Sequence, residues 1–184
     1  MNWYWFVAIF IVIAVFGWYL SSTAGRLDRL HRRIETATFA LDSQLLRRSS
    51  IAIELSVAGV LDPASSEVLA ETAHEARLAT DAQMQVRIDI ESALSEVLIQ
   101  ALDDPEEVGF LRQDQLAADL IDELAAAIRR VELSRQFLND AVEACLRIRD
   151  NTIVNWFRLA GHTPFPQAWI MVDRMPEGLM YLGA

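Results

Sequence analysis

The 184-residue chain has little of what disulfide-linked or metal-dependent proteins require. Its single cysteine, Cys145, excludes an intrachain disulfide. Its three histidines are scattered and neither CxxC nor HExxH spacing occurs, so we predict no metal site and no cofactor. Lysine is absent, and sixteen arginines stand against 26 acidic residues, which gives a net charge of −10. This acidic balance disfavours nucleic-acid binding, which needs clustered cations.

Glycine and proline are also scarce, which matters because both interrupt helices. Four of them occur between residues 26 and 160: Gly59, Pro63, Pro105 and Gly109. The spacing predicts three helical blocks: about 21–61, 65–102 and 112–160. Segment 103–107 separates the second and third blocks, and Gly161 with Pro164 ends the third.

Two of the block boundaries have local capping signals. Asp62-Pro63 ends the first block, because a residue that precedes proline avoids the helical region. Ser65 or Ser66 is expected to cap the second block, and Asp114 the third.

Apolar residues recur at spacings of three and four in each block, which is typical of helices packed side by side. The first stripe is Leu27, Leu30, Ile34, Ala37, Leu41, Ile51, Leu55 and Ala58. The second is Leu69, Ala76, Ala79, Val86, Ile90, Ala93 and Val97. The third is Leu120, Leu124, Ala127, Val131, Leu138, Ala141, Cys145 and Ile148. No run alternates strictly with period two. The sequence predicts an all-α fold, an N-terminal transmembrane helix that continues into a long antiparallel three- to four-helix bundle.

The predicted anchor is the uncharged stretch Trp3–Leu20. As a helix it spans about 27 Å, enough for a thin hydrocarbon core, and aromatic residues stand at both ends. The alternative is a cleaved signal peptide, which is disfavoured because no basic side chain precedes the apolar run. We predict an anchor at residues 1–22 and a helical domain at residues 23–184.

A basic cluster follows the anchor and predicts its direction. Its members are Arg26, Arg29, Arg32 and Arg33. Basic residues flank transmembrane helices on the cytoplasmic side, so we expect a single-pass cell-membrane protein with its N-terminus outside and its bundle in the cytoplasm. The cluster also suits an anionic membrane surface.

Polar residues interrupt all three stripes at about the same level. They are Gln44 and Arg48, with Arg47 beside them, then Gln83, and then Ser134, with Glu132 beside it. Folding the chain at its two breaks brings these positions together. We predict a structural polar layer in which Arg47 or Arg48 pairs with Glu132. The alternative is that both arginines extend to the surface.

The C-terminal segment 163–184 combines prolines with many large apolar side chains. Such a segment either packs back on the bundle or docks a partner. We expect packing, as a short fourth helix over about 166–173.

Two stretches resemble a known family. Residues 40–48, ALDSQLLRR, have an acidic residue, then Gln-Leu, then a basic pair. Residues 131–142, VELSRQFLNDAV, have Glu, Arg and Asn-x-x-Val, and Phe165-Pro166 follows. In order and spacing they resemble the LemA family of bacterial membrane proteins. Leu138 stands where that family has Tyr, and its proline after the first stretch is absent here. The resemblance implies an N-out anchor, a cytoplasmic antiparallel bundle and no assigned catalytic residue.

The sequence predicts a non-catalytic function: an anchored scaffold or adaptor that presents a cytoplasmic helical rod to other membrane-associated proteins. One alternative is an accessory subunit held in a membrane complex through its transmembrane helix. Another is a membrane-bound hydrolase, which is disfavoured because no nucleophile lies in a glycine-rich elbow. The expected partners are the lipid bilayer and unidentified membrane-associated proteins, and a homo-oligomer is also open.

Overall fold

The computed structural model describes residues 3–150 and 165–180, and this part of the chain contains helices and no strand. Its α-helices are α1 (Trp3–Val57), α2 (Pro63–Leu78), α3 (Met84–Leu102), α4 (Pro105–Leu111) and α5 (Gln115–Arg149). Two 3-10 turns cover Ala79–Asp81 and Glu177–Leu179. The predicted all-helical class is confirmed for these residues. The predicted helix end at Gly161 and Pro164 lies outside them.

Helix α1 joins the predicted anchor to the first block without interruption, as expected. It contains 55 residues, continues through Gly25 and has no boundary near residue 22. Its first eighteen residues are exposed, apart from Leu20, which is half-buried, and they carry no charge. Among the described helices it is the one that is long and apolar enough to cross a membrane.

The helix ends show one correct and one wrong cap prediction. Asp114 caps α5 and accepts a hydrogen bond from the Leu116 N–H at 2.9 Å, as predicted. The cap of α2 is Asp62, not Ser65 or Ser66, because Pro63 at the first helical position starts the helix earlier. The Ser65 hydroxyl and nearby backbone N–H groups hold the pKa of Asp62 below its ordinary value.

The second predicted block is two helices, so the prediction of one helix over 65–102 is wrong. Helix α2 ends in the turn Ala79–Asp81, where the Thr80 hydroxyl donates to the Arg77 carbonyl. The backbone of Gln83 is extended and starts α3. Serine and threonine side chains that bond the local backbone favour such ends, and proline or glycine is not needed.

The chain forms two compact units. The first comprises Met1–Thr36 and Leu138–Ala168, and the second Ala37–Phe137 and Trp169–Ala184. In the first unit Leu27 and Cys145 are buried together, with Leu30, Ile34 and Ile148 packed against them. In the second unit, one core contains buried residues of all five helices, among them Leu55, Leu69, Leu98, Val108 and Leu124.

The stripes of α1 and α5 are confirmed, and in the second block Leu69, Ala76 and Ala79 are buried as predicted. The α3 part of that stripe is only half correct, since Ile90 and Val97 pack against the core. Val86 and Ala93, predicted to face the core, are exposed. The buried residues of α3 are Arg87, Ile88, Glu91, Leu94, Ser95, Leu98 and Leu102. These positions still recur at spacings of three and four residues, but two of them are charged. A pattern based on apolar residues alone therefore misplaced the buried face of α3.

The C-terminal strap, defined as Trp169–Met180, packs back on the second unit as predicted, but it is not a helix over 166–173. Its backbone is irregular up to the turn at Glu177–Leu179. Trp169 and Met171 are buried while Ile170 and Val172 are exposed, an alternation typical of extended chain. Gly178 lies so close to α3 that an added Cβ would stand 2.5 Å from the Leu102 carbonyl oxygen.

Candidate functional site

The most unusual feature of the second unit is a buried arginine, Arg48 of α1. Its side chain is 1% exposed and meets a carboxylate that is 2% exposed, that of Glu91 in α3. Arg48 Nη2 donates to Glu91 Oε2 at 2.6 Å and to the Glu91 carbonyl at 3.0 Å. Arg48 Nη1 donates to the Ser95 hydroxyl at 2.8 Å. A buried charge is tolerated only when it is paired and hydrogen-bonded, and this pair meets both conditions.

A second arginine, Arg87 of α3, lies beside the first pair. Its Nη1 donates to Asp42 Oδ1 at 2.8 Å, and its guanidinium carbon lies 5.4 Å from the centre of the Trp169 ring. That distance is within the range of a cation–π contact. The buried arginine layer, defined as Asp42, Arg48, Arg87, Glu91 and Ser95, therefore joins α1 to α3, and the strap covers one of its cations.

The order of these pairs gives the local direction of the two helices. Asp42 meets Arg87, and Arg48, further along α1, meets Glu91, further along α3. Position therefore increases along both helices together, so α1 and α3 run in the same direction here. This follows from the break between α2 and α3, which reverses the chain once more than the three-block prediction allowed.

Polar contacts hold the strap along α3. The Val172 N–H donates to the Ser92 hydroxyl at 3.2 Å, and the Glu177 N–H donates to Asp103 Oδ1 at 2.8 Å. Arg174 lies 3.5 Å from the same Asp103 carboxylate. The backbone N–H groups of this extended segment thus donate to side-chain oxygens, where in a sheet they would donate to a neighbouring strand.

A further ion pair fixes the strap to α5. Arg135 pairs with Asp173, and both side chains are about one-fifth exposed. Asp173 also borders a small void, of about 10 Å³, next to Arg48 and Ser95. Sites for small-molecule ligands are typically about 300–1,000 Å³, so this void does not admit a substrate.

The buried arginine layer has no free group suited to acid–base or nucleophilic chemistry. Arginine stays protonated, and the carboxylates of Glu91 and Asp42 each face one. The Ser95 hydroxyl accepts from Arg48 and donates to the Glu91 carbonyl at 3.0 Å. The arrangement therefore sets helix register, since a shift of either helix would leave a buried charge unpaired.

The predicted polar layer is only partly correct. Arg48 is buried in a polar layer, as predicted, but its acid is Glu91, so the predicted pairing with Glu132 is wrong. Arg47 is exposed and pairs with Glu123. Gln83 is exposed, and Glu132 accepts a hydrogen bond from Gln136 at 3.2 Å.

The two remaining predicted members are half-buried. They are Gln44 and Ser134, and in the described part of the chain neither forms a hydrogen bond with the buried arginine layer. The prediction failed because it treated the second block as one continuous helix when it estimated which residues lie opposite Arg48. The extra turn at 79–83 changes which residues of α3 lie opposite Arg48.

In the first unit, the basic cluster lies exposed on α1. Within it Arg32 pairs with Asp28 one turn away. Cys145 is fully buried, as predicted, and burial raises the pKa of its thiol, partly opposed by the positive charge of Arg149. A thiol in this state is a core group and a poor nucleophile. Among the residues that the structure describes, no three His, Cys, Asp or Glu side chains are grouped as metal ligands.

No family model, no curated protein and no solved structure matches the chain.

Proposed function

We propose that this chain is a non-catalytic membrane protein, anchored by residues 3–20, whose helical portion lies in the cytoplasm and binds other membrane-associated proteins. One observation carries the proposal. Within the single helix α1, an exposed and uncharged stretch long enough to cross a membrane continues into residues such as Leu41 and Leu55 that are fully buried. The segment that would enter the bilayer is therefore covalently and helically continuous with a segment that builds the core.

The helical portion is, in this proposal, an antiparallel bundle. Support comes from the start of α2, where Ala64 and Val68 share a shallow groove with Val97 and Ala101 from the end of α3. Helices that meet start to end run in opposite directions. The short turn of 79–83 between consecutive helices has the same implication, since brief connections join antiparallel neighbours.

A non-catalytic role is supported by how the polar groups of the second unit are used. Arg48, Arg87 and Arg135 each contact an acid of another element, so these charged groups are used to stabilise the fold. The resemblance to the LemA family agrees with this role. The first of the two stretches that carry the resemblance, residues 40–48, includes Leu45 and Arg48. Both are buried, so residues of that stretch contribute to the folded core.

Co-purification separates this proposal from the accessory-subunit alternative. Three proteins are compared after mild detergent extraction and crosslinking: the natural chain, a chain whose residues 3–20 are replaced by an unrelated apolar span, and residues 1–36 fused to an unrelated soluble protein. The proposal expects the same partners with the first two and none with the third. Partners that follow residues 1–36 would favour the accessory subunit and contradict the proposal.

Retention of the anchor is tested separately. N-terminal sequencing of the membrane-extracted protein should find residues before Trp18. A mature chain that begins near Gly25 would identify a cleaved signal peptide, and the cytoplasmic assignment would then be wrong.

A further inference from the structure

A basic groove lies on the surface of the first compact unit, and its basic residues come from two helices. Its volume is about 460 Å³. The residues that matter here are Arg26, Arg29, Leu30 and Arg33 of α1, with Arg147 and Ile148 of α5. The groove thus combines four guanidinium groups with the apolar side chains of Leu30, Ala144 and Ile148, and within the part of the chain that the structure describes no acidic residue lines it.

The α1 residues share one face because of their spacing. Arg26, Arg29 and Arg33 are separated by three and four positions, which places their side chains on one side of a helix. Arg32 is in the same basic cluster but is not a lining residue, and it pairs with Asp28. The structure therefore divides a cluster that looks uniform in the sequence.

The groove arginines have little negative charge to balance them. Within the described residues, Arg26, Arg29 and Arg33 form no ion pair. Arg147 lies 3.6 Å from Glu143, but the two side chains are 70% and 67% exposed, so solvent screens that pair. Like charges brought together at one surface disfavour each other, and a bound anion would relieve this repulsion.

The position along α1 indicates where that anion would come from. Arg26 follows Leu20, the end of the apolar stretch, by six residues, which is about 9 Å of helix. The headgroup region extends about 5–8 Å beyond each side of the hydrocarbon core. An arginine side chain reaches several ångströms back toward that region while its methylene groups cover apolar surface.

We propose that the basic groove binds the phosphate of an anionic phospholipid headgroup. The planar guanidinium donates two parallel hydrogen bonds to phosphate, which suits a convergent set of arginines. Leu30 and Ile148 add apolar surface beside the four guanidinium groups. The inference rests on the proposed membrane anchoring and adds a specific lipid site to it.

The test uses the full chain reconstituted into vesicles of phosphatidylcholine, with spin-labelled phosphatidylglycerol or spin-labelled phosphatidylcholine as the probe lipid. The fraction of probe immobilised by the protein gives its relative affinity for each lipid. We expect phosphatidylglycerol to be preferred, and Arg147→Gln to lower that preference about fivefold, the effect of one basic residue near an anionic lipid. Arg32→Gln makes the same change in net charge outside the groove and should alter the preference less than about twofold.

Each other outcome overturns a distinct statement. An equal loss in both variants would mean a diffuse basic surface and no groove site. No preference in the natural chain would exclude the lipid site, and release of the probe by millimolar glycerol phosphate would identify a site for a soluble phosphate. Failure to float with vesicles of phosphatidylcholine alone would refute the anchoring itself. Circular dichroism of both variants establishes that each retains its helices, and Arg147→Lys, which keeps the charge, should recover part of the preference.

Discussion

The buried pair of Arg48 and Glu91 gives the sharpest prediction about the fold. Replacing Arg48 with leucine leaves a carboxylate that is 2% exposed without its cation. Breaking one partner of a buried pair costs about 3–5 kcal/mol, whereas exchanging both for apolar residues is often neutral. Arg48→Leu should therefore destabilise the protein strongly, and adding Glu91→Leu should recover most of that loss. The Ser95 hydroxyl keeps its bond to the Glu91 carbonyl in the double variant, so no other buried group is left unsatisfied.

Thermal unfolding of the full chain in mild detergent, followed by circular dichroism, measures this effect. At about 2–4 °C per kcal/mol for a chain of this length, Arg48→Leu should lower Tm by about 6–20 °C. The neighbouring pair provides a matched control, since Arg47 of α1 likewise pairs with an acid of another helix, Glu123 of α5, but the two side chains are 56% and 39% exposed. Arg47→Leu should change the unfolding free energy by about 0–1 kcal/mol.

The double-mutant cycle decides the outcome. Strong coupling between the Arg48 and Glu91 substitutions, with weak coupling between those at Arg47 and Glu123, is the expected result. Additive losses at Arg48 and Glu91 would refute the reasoning, because two independent groups would then contribute separately.

Five further substitutions, in three experiments, test the strap and the cap of α2. Trp169→Ala should lower the free energy of unfolding by about 3–5 kcal/mol, because the ring is buried. Ile170→Ala, at the exposed neighbour, should change it by no more than about 0.5 kcal/mol. Equal effects of the two in chemical denaturation would contradict the packing of the strap. Gly178→Ala should destabilise the protein by about 1–3 kcal/mol, because the added Cβ would overlap α3. Gly109→Ala should stabilise it by about 0.5–1 kcal/mol, because Gly109 lies in a helix with open space around it. The same sign for both would contradict the close approach of Gly178 to α3. The Tm difference between the natural chain and Asp62→Ala should be constant above about pH 4 and shrink as the pH falls further. The reason is that a pKa lowered in the folded state gives stability that is lost when the carboxylate becomes protonated. A difference that grows on acidification would contradict this sign.

Local signals in the sequence were enough for several features. The uncharged run Trp3–Leu20 predicted the long apolar helix, and the spacing of Leu124, Val131 and Cys145 predicted the buried face of α5. Asp114 was identified as a cap because its short polar side chain stands just before a helical pattern. Each of these depends on residues that are neighbours in the sequence.

The features that were missed depend on distant residues. Arg87 and Glu91 are charged, so an apolar pattern assigns them to the surface, and only partners on α1 and the strap make their burial tolerable. The extended conformation of the strap was missed for a different reason. The alternation of Trp169, Ile170 and Met171 is too short to distinguish an extended segment from a helix. The hydrogen bonds of the strap go to side chains of α3, and their position relative to the strap cannot be inferred from the sequence.

Topology is the most direct test of the central claim that α1 anchors a cytoplasmic helical protein. A reporter enzyme that is active only outside the membrane is fused after Ala184 of the full chain, and a second fusion carries it before Met1 as the positive control. The arginines that follow the apolar stretch predict a silent C-terminal fusion and an active N-terminal one. Strong activity of the C-terminal fusion would place the helical portion outside and contradict the account.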